Sequence, residues 1–136
     1  MAEKSILYKK RILKQLYFND SLSCADLSSQ INLSLPITTK MVNELIQESY
    51  VLEMGYAPST GGRKPLMYSI RPDSMYIVAI AMDQFITRIA IVDMKNTPVT
   101  EVEKFELPLN KNGEALSILI KRTDKHISES GIKKDK

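Results

Sequence analysis

Cysteine and histidine are nearly absent from this chain, which contains one of each among its 136 residues. Cys24 therefore cannot form a disulfide within the chain, and Cys24 and His126 together cannot build a cysteine/histidine metal site. Long apolar runs are absent as well, because the longest, over residues 76–82, is strand-sized and far below the ~20 residues of a membrane helix. The basic residues after Tyr8 interrupt any signal-peptide core. We expect a cytoplasmic protein without a metal, a cofactor or a membrane anchor.

A large excess of one charge is also missing, since the net charge is +3 and the pI is near 8.9. The charges are spread evenly between the two halves of the chain, so any affinity for nucleic acid must depend on local placement. Arg63 and Lys64 are notable because no acidic residue between Glu53 and Asp73 offsets them. This local excess matters more than the total charge.

Three helices are predicted in the first half of the chain. An amphipathic pattern covers residues 5–18, and a serine with an aspartate three residues later resembles a capping box that starts a second helix over 23–31. Ser34 is the expected N-cap of a third helix over 35–48, which has a proline in its first turn. The i, i+3, i+4, i+7 spacing gives this helix one buried stripe: Thr38, Met41, Val42 and Leu45.

A hairpin is predicted after the third helix. Two β-prone segments, 50–54 and 66–70, flank a loop that is rich in glycine and proline and includes Gly-Gly-Arg-Lys-Pro at 61–65. Two helices joined by a short turn and followed by a basic hairpin are typical of a winged helix-turn-helix. That architecture usually presents a helix to the major groove of double-stranded DNA.

The second half of the chain is predicted to form a separate part that begins at Pro72. It should contain an antiparallel three-stranded meander and one helix, over residues 76–82, 87–93, 99–107 and 113–127. The fold class is therefore α+β, with a winged helix-turn-helix over 1–71 and a small sheet with a helix over 72–136. The charged tail after Gly131 is expected to be frayed.

The order of a winged helix, a Gly-Gly-Arg-Lys-Pro wing and a Tyr-Ile-Val-Ala-Ile strand followed by Asp83 resembles the ROK family of repressors and sugar kinases. The resemblance covers nearly the whole chain, but only the DNA-binding domain and the opening of the sugar-kinase-like, actin-like domain. It implies a repressor of sugar-related genes and no enzymatic activity. Residues 83–87 contain no glycine that would admit ATP phosphates. The sugar-binding residues, the catalytic aspartate and the zinc cluster of the family would lie beyond residue 136, so no sugar effector is expected.

The DNA-binding residues are predicted on the third helix and on the wing. On the helix, Thr39 and Lys40 suit phosphates or base edges, Asn43 could read adenine, and Ile37 could meet a thymine methyl. Ser34 at the helix start could meet a phosphate. On the wing, a basic side chain is favoured in a narrow A·T-rich minor groove. The wing residues assigned to DNA are Ser59, Thr60, Arg63 and Lys64.

Two further features of the first half give weaker indications of DNA binding and of the winged-helix pattern. The first helix carries a basic strip that could face the DNA backbone, although such faces are more often only solvated: Lys9, Lys10, Arg11 and Lys14. Ser49 stands where the winged-helix pattern often has glycine, so the helix end is expected to differ.

A homodimer is predicted, because residues 76–82 are apolar on both faces and one helix can cover only one face. The pairing should involve residues 76–130 at least in part, and the second part of the chain could instead be an effector remnant. Two alternative functions remain open: a winged helix that binds protein without binding DNA, and a relict sugar-kinase fragment.

Overall fold

The computed structural model describes residues 2–58 and 61–136, which divide into two compact units, one up to Arg71 and one from Pro72. Within these residues, the first unit contains three α-helices and a three-stranded sheet, and the second contains a three-stranded sheet and one α-helix. The predicted α+β class is confirmed. No helix in the described ranges is long and apolar enough to cross a lipid bilayer.

The three helices of the first unit are α1 (Ala2–Phe18), α2 (Cys24–Ile31) and α3 (Leu35–Gln47). The predicted capping box starts α2: the Asp26 N–H donates to the Ser23 hydroxyl at 3.1 Å, and the Ser23 N–H donates back to the Asp26 carboxylate at 3.1 Å. These bonds satisfy N–H groups that a helix start leaves without partners.

Helix α3 begins after Ser34, as predicted, but the Ser34 hydroxyl makes no capping hydrogen bond. A proline in the first turn lacks one of the N–H groups that a cap would satisfy. The predicted apolar stripe is confirmed, since Thr38, Met41, Val42 and Leu45 are all buried. They pack in the core of the first unit with side chains from α1, α2 and the sheet, including Ile12, Leu16, Leu27, Val51 and Ile70.

The sheet of the first unit is antiparallel, in the order β1-β3-β2, with β1 at Leu22–Ser23, β2 at Val51–Tyr56 and β3 at Leu66–Ile70. Strand β1 was not predicted, because two residues are too short to show alternation. Strands β2 and β3 form the predicted hairpin, and β2 extends past the predicted end at residue 54. With β1 added, the unit has the complete three-stranded sheet of a winged helix-turn-helix.

The second unit has an antiparallel sheet in the order β4-β5-β6, followed by α4. The bounds are β4 Tyr76–Met82, β5 Ile86–Asp93, β6 Glu103–Glu106 and α4 Ala115–Ser130. Buried Ile89, Ile91 and Leu107 form its core. The predicted third strand is present but shorter than the range 99–107, because β6 covers only Glu103–Glu106. An isolated bridge between Pro98 and Val92 and a bend at residues 99–100 precede it.

The prediction that the C-terminal tail is frayed is wrong. The Tyr76 N–H donates to the Lys136 carbonyl at 3.0 Å, and the Lys136 ammonium donates to the Asp73 carbonyl at 3.2 Å. The last residue is therefore held against the start of the sheet.

Ser49 ends α3 in a left-handed conformation, with φ of 64°. Its N–H donates to the Ile46 carbonyl at 3.0 Å, and the Tyr50 N–H donates to the Leu45 carbonyl at 2.9 Å. This pair of bonds is the Schellman pattern, which usually has glycine at the left-handed position. The prediction that this helix end differs from the winged-helix pattern is therefore wrong, because Ser49 adopts the left-handed conformation that glycine favours.

We predict that Ser49→Gly stabilises the first unit by about 1 kcal/mol, because a side chain in the left-handed region is strained by roughly 1–2 kcal/mol. Chemical denaturation followed by circular dichroism measures the change. Ser29→Gly is the matched control, since Ser29 is exposed inside α2 with an ordinary helical φ. It should destabilise the protein by roughly 0.5–1 kcal/mol. Equal effects of the two substitutions would contradict the strain at Ser49.

Candidate nucleic-acid interface

Helix α3 has one buried face and one face that is open to solvent. Four of the residues predicted to meet DNA are exposed: Ser34, Ile37, Lys40 and Asn43. Thr39 is half-buried, at the border of the two faces. Because the apolar stripe fixes the rotation of α3 about its own axis, the side chains predicted to contact DNA lie on the side that a ligand can approach.

Lys9 of α1 holds α3 in place. Its ammonium lies 2.8 Å from a Glu44 carboxylate oxygen and 2.6 Å from a Glu48 oxygen. The hydrogen bond to Glu44 raises the pKa of Lys9, and the same bond lowers the pKa of Glu44. Lys9 was predicted in a basic strip facing DNA together with Lys10. The structure instead uses Lys9 between two helices, which leaves three exposed basic residues of that strip: Lys10, Arg11 and Lys14.

The wing comprises residues 57–65, between β2 and β3. The Ala57 N–H donates to the Pro65 carbonyl at 3.0 Å, which closes the base of the loop. Gly61 and Gly62 have φ of 94° and 97°, values that other residues rarely adopt. Arg63 and Lys64 follow directly and are exposed. The other two predicted wing contacts, Ser59 and Thr60, lie outside the described residues.

A cleft of about 510 Å³ joins α3 to the wing. Thr39 lines it from the helix, and Arg63 and Lys64 line it from the wing. Among the described residues, the lining of this helix–wing cleft comprises Ser23, Cys24, Ala25, Leu35, Thr39, Tyr56, Arg63, Lys64, Pro65, Leu66 and Tyr68. The structure therefore brings three of the predicted residues to one concave surface, and the other exposed α3 residues lie on the same helix.

The floor of the helix–wing cleft carries no negative charge at neutral pH. Burial raises the pKa of the Cys24 thiol, and hydrogen bonds from Thr39 and Tyr68 only partly oppose that shift. Burial and the neighbouring Cys24 raise the pKa of Tyr68 to about 12. Both groups stay protonated, so Cys24 and Tyr68 themselves place no charge on the floor; the Glu53 carboxylate, which pairs with Tyr68 across the strands, lies outside the lining.

Sequence analysis missed several residues that the structure places in the cleft, Tyr56 and Leu35 among them. Both are exposed apolar or aromatic side chains, at 71% and 48%. No sequence pattern indicated Tyr56 as a cleft residue, because the face on which it lies depends on how β2 and β3 are paired. Among the described residues, no cluster of histidine, cysteine, aspartate and glutamate could hold a metal ion.

The chain is similar in sequence to known repressors. No family model matches the chain. It is 33% identical over 72 residues to a xylose repressor of Caldicellulosiruptor bescii, over 53% of this chain and 18% of that protein. It is 31% identical over 93 residues to the xylose repressor of Bacillus subtilis, over 68% of this chain and 24% of that protein. The chain thus spans about a fifth to a quarter of the length of these relatives.

A solved structure shares the fold. A ROK family transcriptional regulator, described as a homologue of the E. coli MLC protein, matches 94% of this chain and 32% of its own with a TM-score of 0.65 and 16% identity. Together with the xylose repressors, this match confirms the predicted resemblance to ROK family transcriptional regulators. The contacts of single residues with DNA remain predictions.

We predict that Lys9→Met weakens the protein more at pH 6 than at pH 3. The pKa of Glu44 is lowered in the folded state, so its contribution is present above the usual value of 4.5 and is lost as the pH falls through the folded pKa. Urea denaturation at constant ionic strength measures the difference. Lys10→Met, on the exposed side of α1, is the control. It should change the free energy of unfolding by the same amount at both pH values. A Lys9→Met effect that is independent of pH would contradict this role.

Proposed function

We propose that this chain is a sequence-specific DNA-binding transcription regulator that represses sugar-related genes. The observation that carries the proposal is the helix–wing cleft, which Leu35 and Thr39 line from α3 and Arg63 and Lys64 line from the wing. A helix and a basic loop side by side match the adjacent major and minor grooves of a DNA duplex. The relatives named xylose repressors support the sugar-related part. Such a regulator acts in the cytoplasm, where it meets DNA.

The two elements have different tasks in this proposal. Helix α3 enters the major groove, where Asn43 reads adenine, Ile37 meets a thymine methyl, and Thr39, Lys40 and Ser34 contact phosphates or base edges. The wing enters the minor groove, whose negative potential is strongest in narrow A·T-rich segments. Ser59, Thr60, Arg63 and Lys64 make the wing contacts.

The β4–β5 turn supports a role without catalysis. The Asp83 carboxylate accepts hydrogen bonds from the Phe85 and Ile86 N–H groups, at 2.8 and 2.7 Å. These two bonds are the main cause that lowers the pKa of Asp83. The carboxylate thus stabilises its own turn, and the turn contains no glycine that would let phosphates approach the backbone.

The proposed regulator is a homodimer that pairs through β4. The second sheet has β4 and β6 at its edges, and the two differ in charge: β6 carries Glu103, Lys104 and Glu106, whereas β4 has no charged residue. Because the Tyr76 N–H already donates to the Lys136 carbonyl, the proposed pairing uses β4 from Ile77 to Ala81. Charges on an edge strand discourage pairing, and their absence permits it. Two β4 strands can pair antiparallel about Ala79 without placing like charges opposite each other. Ile77 and Ile80, 40% and 41% exposed, would be covered.

We predict that wing variants change the salt dependence of DNA binding. Duplexes are selected from a random pool with the unaltered chain, and affinity is measured at several salt concentrations. Arg63→Ala and Lys64→Ala should each reduce the slope of log K against log salt by about one, because each cation releases counterions on binding. Asn43→Ala should cost roughly 1–3 kcal/mol on selected DNA and little on random DNA.

Lys121→Ala is the control, since this exposed lysine lies on α4 of the second unit. It should leave both the slope and the affinity unchanged. An unchanged slope in both wing variants would remove the wing from the interface. Failure to select any DNA would favour the alternative, a winged helix that binds protein.

We predict that Ala79→Lys converts the homodimer to a monomer, because two lysines would face each other where the β4 strands meet. Sedimentation velocity measures the state. Val102→Lys, beside the other sheet edge, is the control and should leave the dimer intact, since Val102 is also exposed, at 53%. A monomeric unaltered chain at tens of micromolar, or a dimeric Ala79→Lys variant, would contradict pairing through β4.

A further inference from the structure

Strand β2 contains a β-bulge just before the wing. Glu53 pairs with Tyr68 and Gly55 pairs with Met67, so Met54 is an extra residue on β2. Gly55 has φ of 85°, a conformation that a side chain would strain. Bulges are common next to functional sites, where they redirect a side chain.

The bulge changes the face on which Tyr56 lies. In a regular strand, alternation from Val51 and Glu53 would bring Gly55 to the face shared with Tyr68. The extra residue shifts this pattern by one, and Tyr56 becomes the partner of Leu66. Partners across two strands share a face, so Tyr56 joins Leu66 and Tyr68 in the lining of the helix–wing cleft.

The cleft has a defined place on a DNA duplex. Adjacent major and minor grooves are separated by one sugar–phosphate strand. If α3 occupies the major groove and the wing occupies the minor groove, that strand must run over the cleft between them. We propose that Tyr56 contacts this backbone, with its hydroxyl donating a hydrogen bond to a phosphate oxygen. The inference rests on the proposed function and adds a contact that positions the duplex.

The surroundings of Tyr56 suit this contact. The side chain is 71% exposed, so its ring and hydroxyl can be reached. Pro65 and Leu66 give the cleft an apolar wall against which a deoxyribose can lie, and Arg63 and Lys64 add positive charge beside it. The floor at Cys24 and Tyr68 is uncharged, and the Glu53 carboxylate that acts on Tyr68 lies outside the cleft lining. A phosphate contact carries no sequence information and fixes only the register of the protein.

Tyr56→Phe tests the proposal, because it removes the hydroxyl and keeps the ring. Affinity should fall about tenfold on selected and random duplexes alike. The salt slope should stay unchanged, because an uncharged phenol releases no counterion. Single neutral methylphosphonates are then placed along the duplex. At the phosphate that Tyr56 contacts, the neutral substitution should weaken binding by the unaltered chain. It should not weaken binding by Tyr56→Phe any further, because that variant already lacks the contact.

Phe18→Ala is the matched control, because Phe18 is equally exposed, at 71%, and lies on α1 outside the cleft lining. It should bind DNA like the unaltered chain. If Arg63→Ala lowers the salt slope while Tyr56→Phe binds as tightly as Phe18→Ala, the proposed function stands and the Tyr56 contact is wrong. The contact is also wrong if every methylphosphonate that weakens binding by the unaltered chain weakens binding by Tyr56→Phe to the same further extent. If the unaltered chain binds no DNA, both proposals fall.

Discussion

The left-handed turn at Ser49 is the constraint on which the candidate interface depends. It joins α3 directly to β2, so it sets the direction in which the wing leaves the helix. The Tyr50 carbonyl that follows accepts a hydrogen bond from the Arg71 N–H at 2.8 Å, which ties the far end of the hairpin to the same point. A change in this turn would move Arg63 and Lys64 relative to Thr39 without altering any of those side chains. The cleft is therefore a property of the backbone first.

Burial then fixes what the backbone presents. Val42 and Leu45 are almost fully inaccessible, and they allow one rotation of α3 about its axis. Lys9 adds an ionic contact from α1 to Glu44 and Glu48 on the last turns of the helix. Packing and this ion pair act on the same element from different sides. Exposed residues such as Asn43 can therefore vary without disturbing the helix that carries them.

Sequence patterns predicted the elements that repeat and missed those that do not. Helix α3 was predicted to within a residue at its end, because its stripe has the helical period over several turns. Strand β1 has two residues and the bulge at Met54 involves one, so neither produces a period. Tyr56 could not be predicted as a cleft residue, because a shift of one residue decides which face of the strand it occupies. Lys9 was misplaced for a related reason: its partners lie on another helix.

The modest net charge bears on the proposed pairing of the second unit. At +3, the chain has little general attraction for DNA, so any affinity under the proposed function would come from a few placed contacts. One helix and one wing offer few such contacts, and a single module of this size binds weakly. Two modules joined through uncharged β4 edges would multiply their affinities, because the second binds at a high local concentration. The charged β6 edge would restrict that pairing to one side of the sheet. The result would be a closed dimer instead of an open chain of many subunits.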